Sequence, residues 1–210
     1  MPSFLRQSAI PPHPADAEGG DSRDTLMICH FLIGPPSSGK STLATKLTQL
    51  EPKAVIVSTD AIRAQLFGDE NIQGDWSLIE TQVLQQIHRS IADGNPVIYD
   101  ATNAKPEWRR SLLPNISGET VRWLAWYLTT PLETCKAWNR QRQRQVPDQV
   151  IEDFYRTLRD HPPQTSEGFL AVNSVNIADT ELEISSMFNQ SIGRDAPWRV
   201  STCNLKDRQD

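Results

Sequence analysis

At 210 residues and a formal net charge of −5, the chain suits one domain of ordinary size plus tails. Its surface carries no overall attraction for nucleic acid or membrane, so a polyanion would have to meet a local basic patch. Cys29, Cys135 and Cys203 are far apart and lack C-x-x-C spacing, which argues against a disulfide framework or a zinc site and leaves Cys29 as a core residue.

Residues 1–24 carry Pro2, Pro11, Pro12 and Pro14 among Ala, Asp, Gly and Ser and read as a flexible arm. No apolar run reaches the length of a membrane span or resembles a signal peptide, so the expected location is the cytoplasm, with no membrane partner. Through residues 25–192, short β-branched runs alternate with helical patterns. That alternation predicts an α/β fold, a three-layer sandwich with a mostly parallel five-stranded sheet. The predicted strands are 26–33, 54–58, 96–100, 121–128 and 172–177. Asp75 is placed to cap a helix whose Ile79, Val83, Ile87 and Ile91 recur every four residues before Gly94 ends it. Thr130-Pro131-Leu132-Glu133 combines a capping box with proline at the first helical position, so a helix begins there. A further helix runs from Pro147 to about Arg159, with Val150, Ile151, Phe154 and Leu158 on one face. Residues 193–210 form a polar tail in which Trp198 and Val200 could dock back on the body.

The chemistry begins directly after the first strand. Gly34-Pro35-Pro36-Ser37-Ser38-Gly39-Lys40-Ser41 is a complete G-x-x-x-x-G-K-[ST] phosphate-binding loop, and Thr42 continues it into a helical segment. Its glycines let backbone N–H groups curl around an anion, and the helix N-terminus aims its positive end at phosphate. Lys40 then reaches the β- and γ-phosphates and Ser41 ligates Mg²⁺. Residues 34–42 are therefore the predicted nucleotide-binding set, with ATP and Mg²⁺ as cofactors.

In an open α/β sheet, ligands bind beyond the carboxyl ends of the strands, and two more polar clusters fall there. Asp60, after the second strand, is placed to orient an attacking hydroxyl and accept its proton, a role that can coexist with capping the following helix. Arg63, one turn later, could clamp an anionic part of the acceptor, or be a solvated surface arginine. Asp100, after the third strand, resembles a Walker B carboxylate that holds the metal through its water shell, although Asp also starts turns. Asn103 either shapes this loop or touches substrate. Finally, Arg140, Arg142 and Arg144 form a dense positive cluster inside a lid of about residues 136–160, hinged at Val146-Pro147. Such arginines neutralise the oxygens of a transferring phosphoryl group while the lid excludes water; the plainer alternative is a solvated face.

The ordered series G-P-P-S-S-G-K-S-T, S-T-D-A-I-R, V-I-Y-D-A-T-N, P-L-E-x-C, W-N-R-Q-R and V-P-x-x-V resembles the polynucleotide-kinase-like branch of P-loop kinases, the AAA-type ATP-binding proteins that include 5′-hydroxyl kinase modules of RNA and DNA repair enzymes and tRNA ligases. The resemblance spans about residues 26–160. It implies that Asp60 activates the acceptor hydroxyl, that Arg63 contacts an acceptor phosphate and that a lid arginine engages the transferring phosphate. The family's R-N-x-x-R spacing maps onto Asn139 and Arg142, with Trp138 in place of the first arginine, and leaves Arg140 and Arg144 as rivals. The reading is then an ATP-dependent kinase with an alcohol acceptor, a polynucleotide 5′-hydroxyl first, whose catalytic residues are Lys40, Asp60 and Arg142. A kinase for a nucleoside, sugar or sugar nucleotide is the alternative that suits the acidic charge. A non-catalytic nucleotide switch is the third, and against it the chain has no N-K-x-D motif and carries an arginine-rich lid.

Overall fold

The computed structural model describes residues 26–179 and 184–193; the expectations for the 1–24 arm and for the tail beyond Gly193 lie outside the described residues. Strands β1 (Met27–Ile33), β2 (Val55–Ser58), β3 (Val97–Asp100), β4 (Val121–Leu128) and β5 (Ala171–Val175) form one sheet in the order β2-β3-β1-β4-β5. Every pairing is parallel. β1 feeds leftward to edge strand β2, whereas β3 crosses rightward to β4. The connections therefore diverge between β1 and β3, which opens a crevice at their carboxyl ends.

Helices α1 (Lys40–Leu50), α2 (Thr59–Phe67), α3 (Trp76–Ala92), α4 (Pro106–Ile116), α5 (Leu132–Arg140), α6 (Asp148–Asp160) and α7 (Ile184–Ile192), with a short 3-10 turn at Thr165–Glu167, complete the described elements. Alternation along β1 explains the three layers: Cys29, Phe31 and Ile33 enter a core with Ile62, Ile79, Val83, Ile87, Leu112 and Leu113, while Ile28 and Leu32 enter a second core with Leu43, Leu47 and Phe188. β4 likewise sends Trp123 to the first face and Trp126 to the second. Truncating either buried indole to alanine should cost about 3–5 kcal/mol.

On the second face, Trp126 Nε1–H donates to His30 Nδ1 at 2.9 Å, so the imidazole proton sits on Nε2, which faces Glu51 Oε2 at 2.5 Å. A buried histidine is thereby given a partner on each ring nitrogen, and this hydrogen-bonded unit ties β1 to the end of α1. Cys29 is buried as expected; burial pushes its thiol up to about 12.

Several expectations change in detail. Asp75 does cap α3, its Oδ1 accepting from Ser77 N at 2.9 Å. α5 begins at Leu132, one residue later than the motif put it, with Pro131 as the N-cap and without the capping box: Thr130 is buried and its hydroxyl donates instead to Ser38 O at 2.8 Å, tying the helix start to the phosphate loop. α4 and α7 were not legible. Pro106 opens α4 at a position where proline is harmless, yet Pro114 inside its last turn reads as a breaker.

Arg109 of α4 is fully buried and makes five hydrogen bonds: two to Glu167, one each to Asn103 O and Ala104 O, and one to His161 O. This guanidinium fastens the loop after β3 to the chain leaving α6. Removing it would strand the Glu167 carboxylate in the interior, at a cost of about 3–5 kcal/mol.

Candidate active site

The phosphate loop is shaped by backbone needs that only part of its sequence can meet. A Cβ on Gly34 would lie 2.6 Å from Ser38 Oγ and 3.0 Å from Leu128 Cβ, and Gly39 sits at φ 95°, where side chains are strained. Gly34 N donates to Thr102 O at 3.1 Å, which joins the loop to the end of β3. Lys40 Nζ folds under the loop and donates to Gly34 O at 3.1 Å and Pro35 O at 2.9 Å. Burial holds this ammonium below the ordinary lysine range, and the nearby Asp100 and Asp60 oppose that shift.

Ser41 and Asp100, the two residues expected to hold a metal, lie together. Ser41 Oγ donates to Asp100 Oδ2 at 3.1 Å, joining the start of α1 to the end of β3. Burial raises the Asp100 pKa, with Lys40 and the Ser41 hydrogen bond pulling the other way. A hydroxyl and a carboxylate at the head of the phosphate loop fit Mg²⁺, which prefers one or two protein oxygens and takes the rest from phosphate and water. Among the described residues no cluster of three or more His, Cys, Asp or Glu offers an alternative metal cage. The loop also fits nucleotide phosphates: Ser38 Oγ is buried without a hydrogen-bond partner beside the backbone turn, a donor of the kind an anion would engage.

Opposite stands Asp60, and its surroundings separate two roles the sequence left joined. The cap of α2 is Ser58, whose Oγ accepts from Ala61 N, so Asp60 is in the first turn and is not the N-cap. Its carboxylate is held from both sides. Oδ1 accepts from Arg63 Nη1 at 2.8 Å, and Oδ2 accepts from Arg144 Nη1 at 3.3 Å. Arg63 is thus no free surface arginine. Asn103 takes the loop-shaping role: buried, at φ 49°, it donates through Nδ2 to Leu32 O at 2.8 Å.

The lid arginines do three different things. Two of them, Arg142 and Arg144, lie on the loop between α5 and α6 and not on a helix, and Arg140 ends α5. Arg140 points outward to Asp148, 3.0 Å away. Arg142 turns to the phosphate loop, donating to Ser37 Oγ at 3.5 Å, close enough for its charge to be felt by Lys40 and Asp100. Arg144 reaches Asp60 and, at 2.9 Å, Glu70. The lid loop is closed at its base by Asn139, whose Nδ2 donates to Val146 O at 2.7 Å while its Oδ1 accepts from Val146 N at 3.0 Å. The same Oδ1 accepts from Ser37 Oγ at 3.4 Å, so the clip rests on the phosphate loop. Sequence reasoning had only the resemblance to point at Asn139, and nothing at Glu70.

A profile of the family described as AAA domain matches residues 29–161, from within β1 to just past α6. The chain belongs to this family. Solved structures of low sequence identity to it share its fold, and kinases are among them. A chain of the Pnkp1/Rnl/Hen1 RNA repair complex is 22% identical with a TM-score of 0.60, over 71% of this chain and 48% of that one. A fungal RNA kinase is 19% identical with a TM-score of 0.52, over 80% of this chain and 42% of that one. A gluconokinase from Sinorhizobium meliloti 1021 is 18% identical with a TM-score of 0.52, over 83% of this chain and 95% of that one. The AAA domain chain thus spans about half the length of the RNA-repair protein it matches and nearly all of the gluconokinase. No curated protein matches it. No helix among the described residues is long and apolar enough to cross a membrane.

Proposed function

We propose that the protein is an ATP- and Mg²⁺-dependent phosphotransferase that moves the γ-phosphoryl group to a hydroxyl, with a polynucleotide 5′-end as acceptor. The observation that carries this reading is the placement of Asp60: a carboxylate close enough to Lys40 of the phosphate loop for its charge to be felt there, its two oxygens held by Arg63 and Arg144. A protein that only binds nucleotide has no use for such a group. Lys40 and the loop amides bind the phosphates, Ser41 and Asp100 hold the metal, and Arg142 closes over the transferring group. Mg²⁺, when bound, neutralises charge on the β- and γ-oxygens. Asp60 accepts the hydroxyl proton as the acceptor oxygen bonds to the γ-phosphorus and the bond to the bridging oxygen breaks, releasing ADP.

An anionic acceptor is favoured by two orphaned donors. Arg63 Nε and Arg144 Nε are both buried without a hydrogen-bond partner, one on each side of Asp60. A phosphate next to the reacting hydroxyl would satisfy them with charge-assisted hydrogen bonds, stronger than those a neutral sugar hydroxyl accepts. The small-molecule reading has its own support in the nearly full-length correspondence with the gluconokinase and in the net charge of −5. Transfer of label from γ-labelled ATP to a 5′-hydroxyl oligonucleotide, measured beside gluconate and a panel of sugars and nucleosides, decides between them. Label on the oligonucleotide is expected; label only on a small molecule overturns the polynucleotide reading, and label on none overturns the kinase.

A further inference from the structure

The arginine cluster divides its labour, and Arg144 engages the turn between α2 and α3. Arg144 makes a double contact with the α2–α3 turn, Nη1 to Glu70 Oε1 at 2.9 Å and Nη2 to Glu70 O at 3.4 Å, in addition to its contact with Asp60. Both ends of this bridge are anchored. On the lid side, the Asn139 clip fixes Val146 two residues on. On the other, Glu70 sits in a tight turn in which Asp69 Oδ1 accepts from Asn71 N at 2.8 Å and Asp69 O accepts from Ile72 N at 3.2 Å. That turn is pressed onto α2, because a Cβ on Gly74 would lie 2.2 Å from the Phe67 ring.

We propose that Arg144 and Glu70 form a latch that ties the lid to the acceptor side of the crevice and sets the orientation of Asp60. Arg144 is then a positioning residue: it acts through Asp60 and does not touch the transferring phosphate, which falls to Arg142. The components are partly exposed, with side-chain exposures of 23% for Arg144 and 43% for Glu70, so salt and competing anions open the latch readily. An anionic acceptor arriving between Arg63 and Arg144 would exchange one partner of Arg144 for another and so couple acceptor entry to lid movement. This coupling rests on the kinase reading; the latch itself does not.

The test is therefore made without acceptor. Trypsin cleavage after Arg142 in the ligand-free protein reports the open fraction of the lid loop, provided closing outpaces cleavage. Glu70→Gln and Arg144→Gln should each raise that rate by about threefold to fivefold, with an unchanged melting temperature, and the double variant should exceed neither single one. In a transfer assay with a 5′-hydroxyl oligonucleotide, Glu70→Gln should raise the acceptor KM and leave the ATP KM alone. Unchanged cleavage in Glu70→Gln, or effects that multiply in the double variant, would overturn the latch. A lid that opens as described in a chain that labels no acceptor supports the latch and overturns the kinase reading.

Discussion

In the proposed function the phosphate loop and the lid loop both serve phosphate, and they are built by opposite means. The phosphate loop is held by main-chain geometry: glycines where no Cβ fits, backbone hydrogen bonds to the end of β3, and a lysine folded onto its own carbonyls. The lid loop is held by long side chains, three arginines each reaching a different partner and one asparagine clipping the base. A loop of the first kind is indifferent to salt and intolerant of an added methyl group. The second kind is the reverse, because partly exposed ion pairs are weak and screened. Fixed donors suit a nucleotide whose phosphates are invariant; adjustable ones suit a lid that must open at every turnover.

The contrast breaks most sharply on the phosphate side. Lys40→Ala and Ser41→Ala should each lower phosphoryl transfer by roughly 10²–10³-fold while leaving the fold intact, since each removes a preorganised charge or metal ligand. Circular dichroism confirms folding, and near-normal turnover in either folded variant would sink the assignment. Asp60→Asn comes next. It should retain ATP binding and lose transfer by roughly a hundredfold, because the amide keeps the shape and cannot accept the proton. Unchanged turnover would take Asp60 out of catalysis and leave it as a partner of Arg63 and Arg144 alone.

How much of this was legible in the sequence follows from what each signal depends on. The phosphate loop and the strands were readable because their residue requirements are local: glycine where φ is positive or space is short, and apolar runs, which in β1, β3 and β4 are largely buried on both faces. Strand ends moved by only one or two residues, β5 being the most displaced, at 171–175 against 172–177. No helix is predicted over α4, where Pro106 and Pro114 interrupt a short segment of mixed polarity, and the role of Arg109 goes unseen with it. Thr130 shows a related limit: a side chain with the right spacing for a cap was drawn off by a closer carbonyl on another element, Ser38 O. Glu70 could not have been found at all, since its meaning depends on an arginine 74 residues away in the chain.

The lid offers a graded test. Arg142→Lys should fall about tenfold short of wild type in kcat, because a point charge cannot reproduce the planar fork of donors over the phosphoryl oxygens. Arg140→Lys and Arg140→Ala should be nearly silent, since Arg140 faces Asp148 on the outside. Equal effects at both positions, confined to acceptor KM and weakened by salt, would mean a diffuse electrostatic patch and no division of labour.

The remaining expected effect concerns stability and lies in Asp100. Burial raises its pKa in the folded protein above the ordinary 3.8, so the folded state holds a proton there more tightly than the unfolded chain does. Its contribution to stability is then fully present below pH 3.8 and is lost as pH rises through the folded-state value. At neutral pH the ligand-free protein carries a buried carboxylate at a cost, eased in part by Lys40 and the Ser41 hydroxyl. Asp100→Asn removes that cost while its amide oxygen still accepts from Ser41. The variant should therefore melt about 2–4 °C higher than wild type at pH 7, with the gap closing toward pH 4, and should lose the stabilisation that Mg²⁺-ATP gives the wild type. A gap that persists unchanged at acid pH would trace the gain to packing and not to charge. A variant that melts lower at pH 7 would mean that Asp100 stabilises Lys40 by more than its own desolvation costs. The metal-side carboxylate would then be part of the loop's scaffold as well as its chemistry.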